Sequence, residues 1–184
     1  MEKRENQRIA LTRRLLQDGL LRLLVNEKLE HISVTSLCKE AGINRATFYN
    51  HYTSPNALLE EMERKLVDEL QQITANAETV EDILNQTEQC CILLKKNATL
   101  VQMLVRYHAD RDLEEIVEKT ARYYDEHRLN NLQTKLDSDT VHLVSSYLYS
   151  GCYNLIREWL MRDINKTPRE IAELLVNLIS KEYL

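Results

Sequence analysis

Residues 33–52 read Ser33-Val34-Thr35-Ser36-Leu37-Cys38-Lys39-Glu40-Ala41-Gly42-Ile43-Asn44-Arg45-Ala46-Thr47-Phe48-Tyr49-Asn50-His51-Tyr52, and this stretch decides the fold. Ser33 can cap a helix over Val34 to Ala41, with Leu37 pointing inward. Gly42 follows at the position where a left-handed backbone is needed and glycine costs least. Ile43 is an apolar plug. Asn44 is a good N-cap for a very short helix, Arg45 to His51. Two helices joined at Ala41-Gly42-Ile43-Asn44 predict a helix-turn-helix. Phe48 and Tyr52 are four apart, so they fix which face of the second helix is buried. The opposite face offers Arg45, Ala46, Tyr49 and Asn50, flanked by Thr47 and His51.

The preceding stretch supplies the rest of a small core. Residues 6–27 carry Ile9, Leu11, Leu15, Leu16, Leu20, Leu23 and Leu24 mostly at three- and four-residue spacing, the period of an amphipathic helix. Leu16, Leu20 and Leu24 can meet Leu37, Ile43, Phe48 and Tyr52. Ala41 is small and allows close helix approach. After Tyr52 the chain restarts at Ser54-Pro55, an N-cap followed by proline in the first turn. That helix carries Leu58, Met62, Leu66, Leu70 and Ile73 and is expected to reach about Asn76.

Further helices are expected at Val80–Lys95, Ala98–His108, Asp112–Thr134 and Thr140–Arg162. Thr167-Pro168 opens the last, with Glu170 completing a capping box. Three glycines and two prolines in 184 residues fall far below average usage of roughly 12%. A sheet-rich chain needs many more for its turns. The expected fold is therefore all-α, with about nine helices. Residues 1–53 form a three-helix head. Residues 54–184 form a helical body, and helix 54–76 links the two.

Charge separates the same two regions. Residues 1–53 hold nine Lys/Arg against six Asp/Glu, net +3, and the remainder is net −8. A basic head on an acidic body suits a partner that is anionic at one end only. The glycines cannot spell a nucleotide-cradling loop. No two of the five histidines lie at metal-binding helical spacing, so no metal, cofactor or catalytic residue is assigned. The four cysteines (38, 90, 91, 152) contain no C-x-x-C and read as reduced, partly buried small hydrophobes. The longest apolar run, Cys90 to Leu94, is far short of the ~20 residues of a membrane span. The charged N-terminal residues lack a signal-peptide core, so a cytoplasmic protein without membrane attachment is expected.

A short helix with a polar outer face is narrow enough for a DNA major groove. The same residues also fit a helical hairpin whose polar side is merely solvated. Two details favour the groove. The helix is very short for one facing only solvent, and Tyr49 lies on its exposed face without a packing reason.

Thr12-Arg13-Arg14 through Leu59 resembles the N-terminal domain of TetR-family transcriptional regulators. The family pattern is met by Ser33-Val34, Leu37-Cys38, Ala41-Gly42-Ile43-Asn44-Arg45, Thr47-Phe48-Tyr49, His51-Tyr52 and Leu58-Leu59. Gly151, Ile156, Trp159-Leu160 and Thr167-Pro168-Arg169-Glu170-Ile171-Ala172 are similar to the C-terminal region of a subgroup that includes regulators of dihydroxyacetone kinase genes. The resemblance implies a homodimeric regulator, most often a repressor, on a pseudo-palindromic operator of double-stranded DNA. It also implies a small-molecule effector that moves the fourth helix. Three positions depart from the pattern: Lys28 stands near a usual glycine, Pro55 at a usual phosphate-contacting lysine, and Thr35 at a usual arginine. Phosphate contacts then shift towards Lys39, Arg45, Lys3 and Arg4.

The candidate DNA contacts are Ser33, Thr35, Asn44, Arg45, Ala46, Thr47, Tyr49, Asn50 and His51. Arg45 suits a base edge or phosphate. Tyr49 suits a phosphate, and Ser33 and Thr35 sit at a helix N-terminus that favours one. Met103, Tyr107, Tyr147, Tyr149 and Cys152 are candidates for an effector pocket, although core and dimer packing is the plainer account of them. Gly151 costs ~1 kcal/mol against alanine inside a helix, which close approach of another helix would offset. With Val144, Leu148, Leu155 and Trp159 on its side, and Leu174 and Leu178 on the last helix, it predicts a subunit interface. A rival reading is a non-enzymatic helical protein-interaction module, or a co-activator-like regulator without a small-molecule ligand.

Overall fold

The computed structural model describes residues 2–74, 79–106 and 137–181. Among them every regular element is helical. The chain divides into two compact units, Met1–Leu66 and Val67–Leu184.

In the first unit, helix α1 spans Glu2–Leu24, a 3-10 turn spans Leu29–His31, α2 spans Val34–Ala41, α3 spans Arg45–Tyr49, and α4 begins at Pro55 and runs to Ile73. The caps follow the side chains that the sequence places there. Ser33 Oγ accepts the Ser36 amide at 3.0 Å. Asn44 Oδ1 accepts the Thr47 amide at 2.7 Å, and Ser54 Oγ accepts the Ala57 amide at 3.1 Å. Gly42 ends α2 at φ 67°, ψ 29°, a left-handed conformation in which a side chain would be strained. Helix α1 starts four residues before the expected Asn6, because Glu, Lys and Arg are good helix formers. It stops at Leu24, where the Leu23 carbonyl takes the amides of both Asn26 and Glu27 at 3.0 Å. Helix α3 is shorter than the expected Arg45–His51, because the Phe48 carbonyl accepts from both His51 and Tyr52 at 2.9 Å and tightens the last turn.

Leu16, Leu20, Leu24, Leu37, Phe48 and Leu58 are fully buried, and Tyr52 nearly so. Ile43 is half-buried. Ile9, Leu11 and Leu15 lie on the exposed part of α1, so the apolar stripe of α1 is longer than this core can cover. The closest helix approach is at Gly19. A Cβ there would stand 3.1 Å from Ala41 Cβ and 3.3 Å from the Ala41 backbone nitrogen. Gly19→Leu is therefore expected to push α1 off α2 and lower stability by about 1–3 kcal/mol. Chemical denaturation followed by circular dichroism checks this.

The second unit contains α5 (Val80–Lys96), α6 (Ala98–Arg106), α7 (Ser138–Met161) and α8 (Pro168–Lys181). Helix α5 packs along α8, and α6 packs against α7. The expected helix Asp112–Thr134 lies outside the described residues. Helix α7 begins two residues before the expected Thr140, because Asp137 caps it by accepting the Thr140 amide at 2.9 Å. Thr79 and Asp82 form a capping box at α5, and Thr167 and Glu170 form one at α8. The Glu170 carboxyl is held at about 2 by the Lys166 ammonium and the Thr167 donors.

Trp159 is the largest fully buried side chain of this unit. Its indole Nε1 donates to the Lys166 carbonyl at 3.0 Å. Lys95 Nζ lies 5.3 Å above the indole ring and 2.8 Å from Asp163 Oδ1. Asp163 has φ 46°, at the reversal between α7 and α8. Gln102 Nε2 donates to the Leu160 carbonyl at 2.7 Å and ties α6 to the end of α7. Burial pushes the Cys90 and Cys91 thiols up to about 12. Both are therefore neutral at pH 7, poor as nucleophiles or metal ligands.

Candidate nucleic-acid interface

The geometry of α3 follows from its two anchors. The Phe48 ring meets Tyr52 at 6.0 Å between centroids and packs edge-on against Tyr49 at 5.5 Å. With Phe48 fully buried, a 100° turn per residue carries Ala46, Tyr49 and Asn50 away from the core, and Arg45 opens the helix at its first position. All four are exposed, and Thr47 and His51 are half-buried on the flanks. Tyr49 is 53% exposed, although one edge of its ring rests on Phe48. That support holds the hydroxyl outward without burying it.

Ser33, Thr35 and Asn44 are also exposed. Ser33 and Asn44 already serve as caps, so each has one oxygen engaged by its own helix. Asn44 keeps its amide NH2 group as a donor, and Ser33 adds little beyond the amides it helps to orient. Thr35 sits in the first turn of α2.

Electrostatics favour an anion on this side. Between residues 33 and 53 the sequence contains a single carboxylate, Glu40. Arg22 Nε on α1 binds its Oε1 at 2.5 Å, and the guanidinium also donates to the Glu40 carbonyl at 3.3 Å. Lys39 and Arg45 are then left as the uncompensated charges of the segment. The charge of Arg45 reaches the buried Cys38 thiol, opposing the upward push of burial.

The effector candidates among the described residues divide between buried positions and an open groove. Met103 and Tyr149 are buried. Tyr147 is 67% exposed, because two residues along a helix turn a side chain by about 200°. Tyr147 and Cys152 instead line an open groove of about 100 Å³ with Leu148, Gly151, Leu155, Leu175 and Leu178. Tyr107 lies outside the described residues. That groove contains four of the seven interface candidates. Val144 is half-buried, and Leu174 and Leu178 are exposed. Trp159 departs from the expected set: it is buried, with its indole bonded to the Lys166 carbonyl and lying beneath Lys95. Leu143, 69% exposed, was missed; it lies one helical turn before Tyr147. Among the described residues, its own helix backbone apart, nothing lies within 4 Å of a Cβ placed on Gly151. No helix of the described residues is long and apolar enough to cross a membrane.

Comparison with known proteins places this geometry. Residues 81–181 match the TetR-type family described as "Transcriptional regulator C-terminal region". A stretch of 96 residues is 30% identical to the uncharacterized HTH-type transcriptional regulator YxbF of Bacillus subtilis (strain 168). It covers 50% of this chain and 25% of YxbF, so the match spans a quarter of that relative's length. Among solved structures, a TetR-family regulator from Bordetella parapertussis 12822 is similar with a TM-score of 0.66 at 12% identity, covering 92% of this chain and 94% of that one. The dihydroxyacetone kinase operon activator DhaS is similar at 0.60 and 16% identity, covering 94% and 96%. The fatty acid degradation regulator FadR from Bacillus halodurans is similar at 0.58 and 12%, covering 94% and 97%. At these identities the likeness shows the fold alone, for DhaS as for the others. With more than half of its residues matched by the family, the chain belongs to the TetR family of transcriptional regulators.

Proposed function

We propose that this regulator binds a pseudo-palindromic DNA operator as a homodimer and that a small-molecule effector modulates the binding. Residues 1–53 are the DNA-binding domain in this reading. Residues 54–184 hold the effector and the partner subunit, with helix 54–76 as the link. One observation carries the DNA-binding part: α3 buries Phe48 and turns Arg45, Ala46, Tyr49 and Asn50 outward. Two such helices would enter successive major grooves about 34–36 Å apart. Lys39 and Arg45 supply charge for the phosphates, and Arg45 is the candidate for a guanine edge.

Arg45→Ala is expected to weaken operator binding by about 5- to 150-fold, the cost of one good bidentate contact of ~1–3 kcal/mol. Tyr49→Phe is expected to weaken it less, since one phosphate contact is lost. Mobility shift on the DNA upstream of the chain's own gene measures both. Full affinity in Arg45→Ala would remove Arg45 from the site.

The homodimer reading is supported by exposed Leu143, Tyr147, Leu174 and Leu178 beside the groove at Gly151. An isologous contact uses the same patch on both copies, so one charge acts twice. Leu178→Arg is expected to convert a dimer to a monomer at micromolar concentration in sedimentation velocity. A wild-type monomer would contradict the assembly. Met103 and Tyr149, buried in the C-terminal unit, are the retained effector candidates. The effector would act by preferring one conformation, a coupling typically of ~1–3 kcal/mol.

A further inference from the structure

The Tyr52 hydroxyl takes no part in burying the ring, yet it is not idle. It donates to Glu61 Oε1 on α4 at 3.1 Å. The same oxygen lies 3.8 Å from Arg13 Nη1 on α1. One carboxylate on α4 thus joins a group from α1 to one from the turn that ends α3. Tyr52 is rigidly joined to α3 in two ways: its amide bonds the Phe48 carbonyl, and its ring rests against Phe48. Burial and the neighbouring Glu61 charge push the Tyr52 hydroxyl up to about 12, so it remains a donor throughout the neutral range. A shallow cleft lined by His51, Tyr52, Thr53, Ala57, Glu60, Glu61 and Arg64 runs beside the pair. It leaves the Glu61 side chain 28% exposed and in contact with solvent.

We propose that Glu61 is a positioning residue for DNA recognition: by accepting the Tyr52 hydroxyl while paired with Arg13, it fixes the end of α3 against α4 and α1. This rests on the DNA-binding reading above. A small shift of Glu61 along α4 would move Tyr52, and through Phe48 the outward face of α3. The packing of the head does not need the bond, because phenylalanine fills the same space as the tyrosine ring.

The test uses the full chain, the duplex that wild type selects from a random-sequence pool, and a scrambled duplex. The readout is the ratio of the two affinities, alongside the thermal midpoint. Tyr52→Phe and Glu61→Ala are each expected to lower the ratio by about tenfold, as for loss of a hydrogen bond to a charged group, with the combined variant no worse than either. Glu61→Gln is expected to stay within about twofold, because its amide oxygen still accepts from the hydroxyl. Equal weakening on both duplexes, an unchanged ratio in Tyr52→Phe, or a loss in Glu61→Gln equal to that in Glu61→Ala would overturn the proposal. A wild-type chain that selects no duplex overturns the DNA-binding reading, and this proposal with it.

Discussion

Phe48→Ala is expected to unfold the Met1–Leu66 unit and to abolish DNA binding. Phe48 is fully buried, and a buried Phe→Ala change costs about 3–5 kcal/mol. A unit of this size has a total stability of about 3–10 kcal/mol, so one side chain carries much of it. The loss also removes the wall on which the Tyr49 and Tyr52 rings rest, so the outward face of α3 loses its support as well. Phe48→Leu, which keeps most of the volume, is expected to retain a folded head at reduced stability. Helical circular dichroism during thermal unfolding, with binding measured in parallel, separates the two. A Phe48→Ala midpoint within a few degrees of wild type would mean that the ring does not organise this core.

The second large effect is expected at Trp159. Trp159→Ala removes a fully buried indole from between α7 and α8, at about 3–5 kcal/mol. It also leaves the Lys166 carbonyl without its donor and Lys95 without the ring beneath it. Trp159→Phe keeps most of the apolar surface and loses the N–H bond, a net ~1 kcal/mol. The difference between the two variants in urea therefore separates packing from hydrogen bonding. If Trp159→Ala instead left stability unchanged and weakened dimerisation, Trp159 would belong to the subunit interface after all.

Much of the head was legible because its signals are local. Ser33, Asn44 and Ser54 cap the helices that follow them, since a short oxygen-bearing side chain before an apolar run has few other uses. Gly42 marks its turn because its backbone geometry excludes most residues. The period of Leu16, Leu20 and Leu24 fixes the buried stripe of α1 as far as the core extends. It does not reveal where the core ends: Leu11 and Leu15 share the apolar spacing and are exposed. Thr79 escaped notice because its partner Asp82 is a less usual third-position residue than the Glu170 that serves Thr167.

The candidate sites were legible only where one helix determines them. Ala46, Tyr49 and Asn50 follow as outward residues from the burial of Phe48 and Tyr52, and Arg45 from its place at the start of α3. The Tyr52–Glu61 bond joins residues nine apart across a turn, and no period encodes it. Tyr147 and Tyr149 look equivalent as aromatics in one apolar helix, but adjacent turns send one out and one in. Trp159 lies on the Gly151 side by simple counting. The 24-residue helix ends there against Lys95 and Lys166, contacts from distant sequence that draw the indole inward.

The central claim is that α3 reads base edges from an exposed face, twice per assembly. Selection of the wild-type chain against a random-sequence duplex pool, followed by sequencing of the bound fraction, tests it most directly. An inverted repeat with half-site centres about one helical turn apart, absent from the fraction recovered with Arg45→Ala, is the predicted result. A bound fraction with the same base composition as the input pool would contradict it.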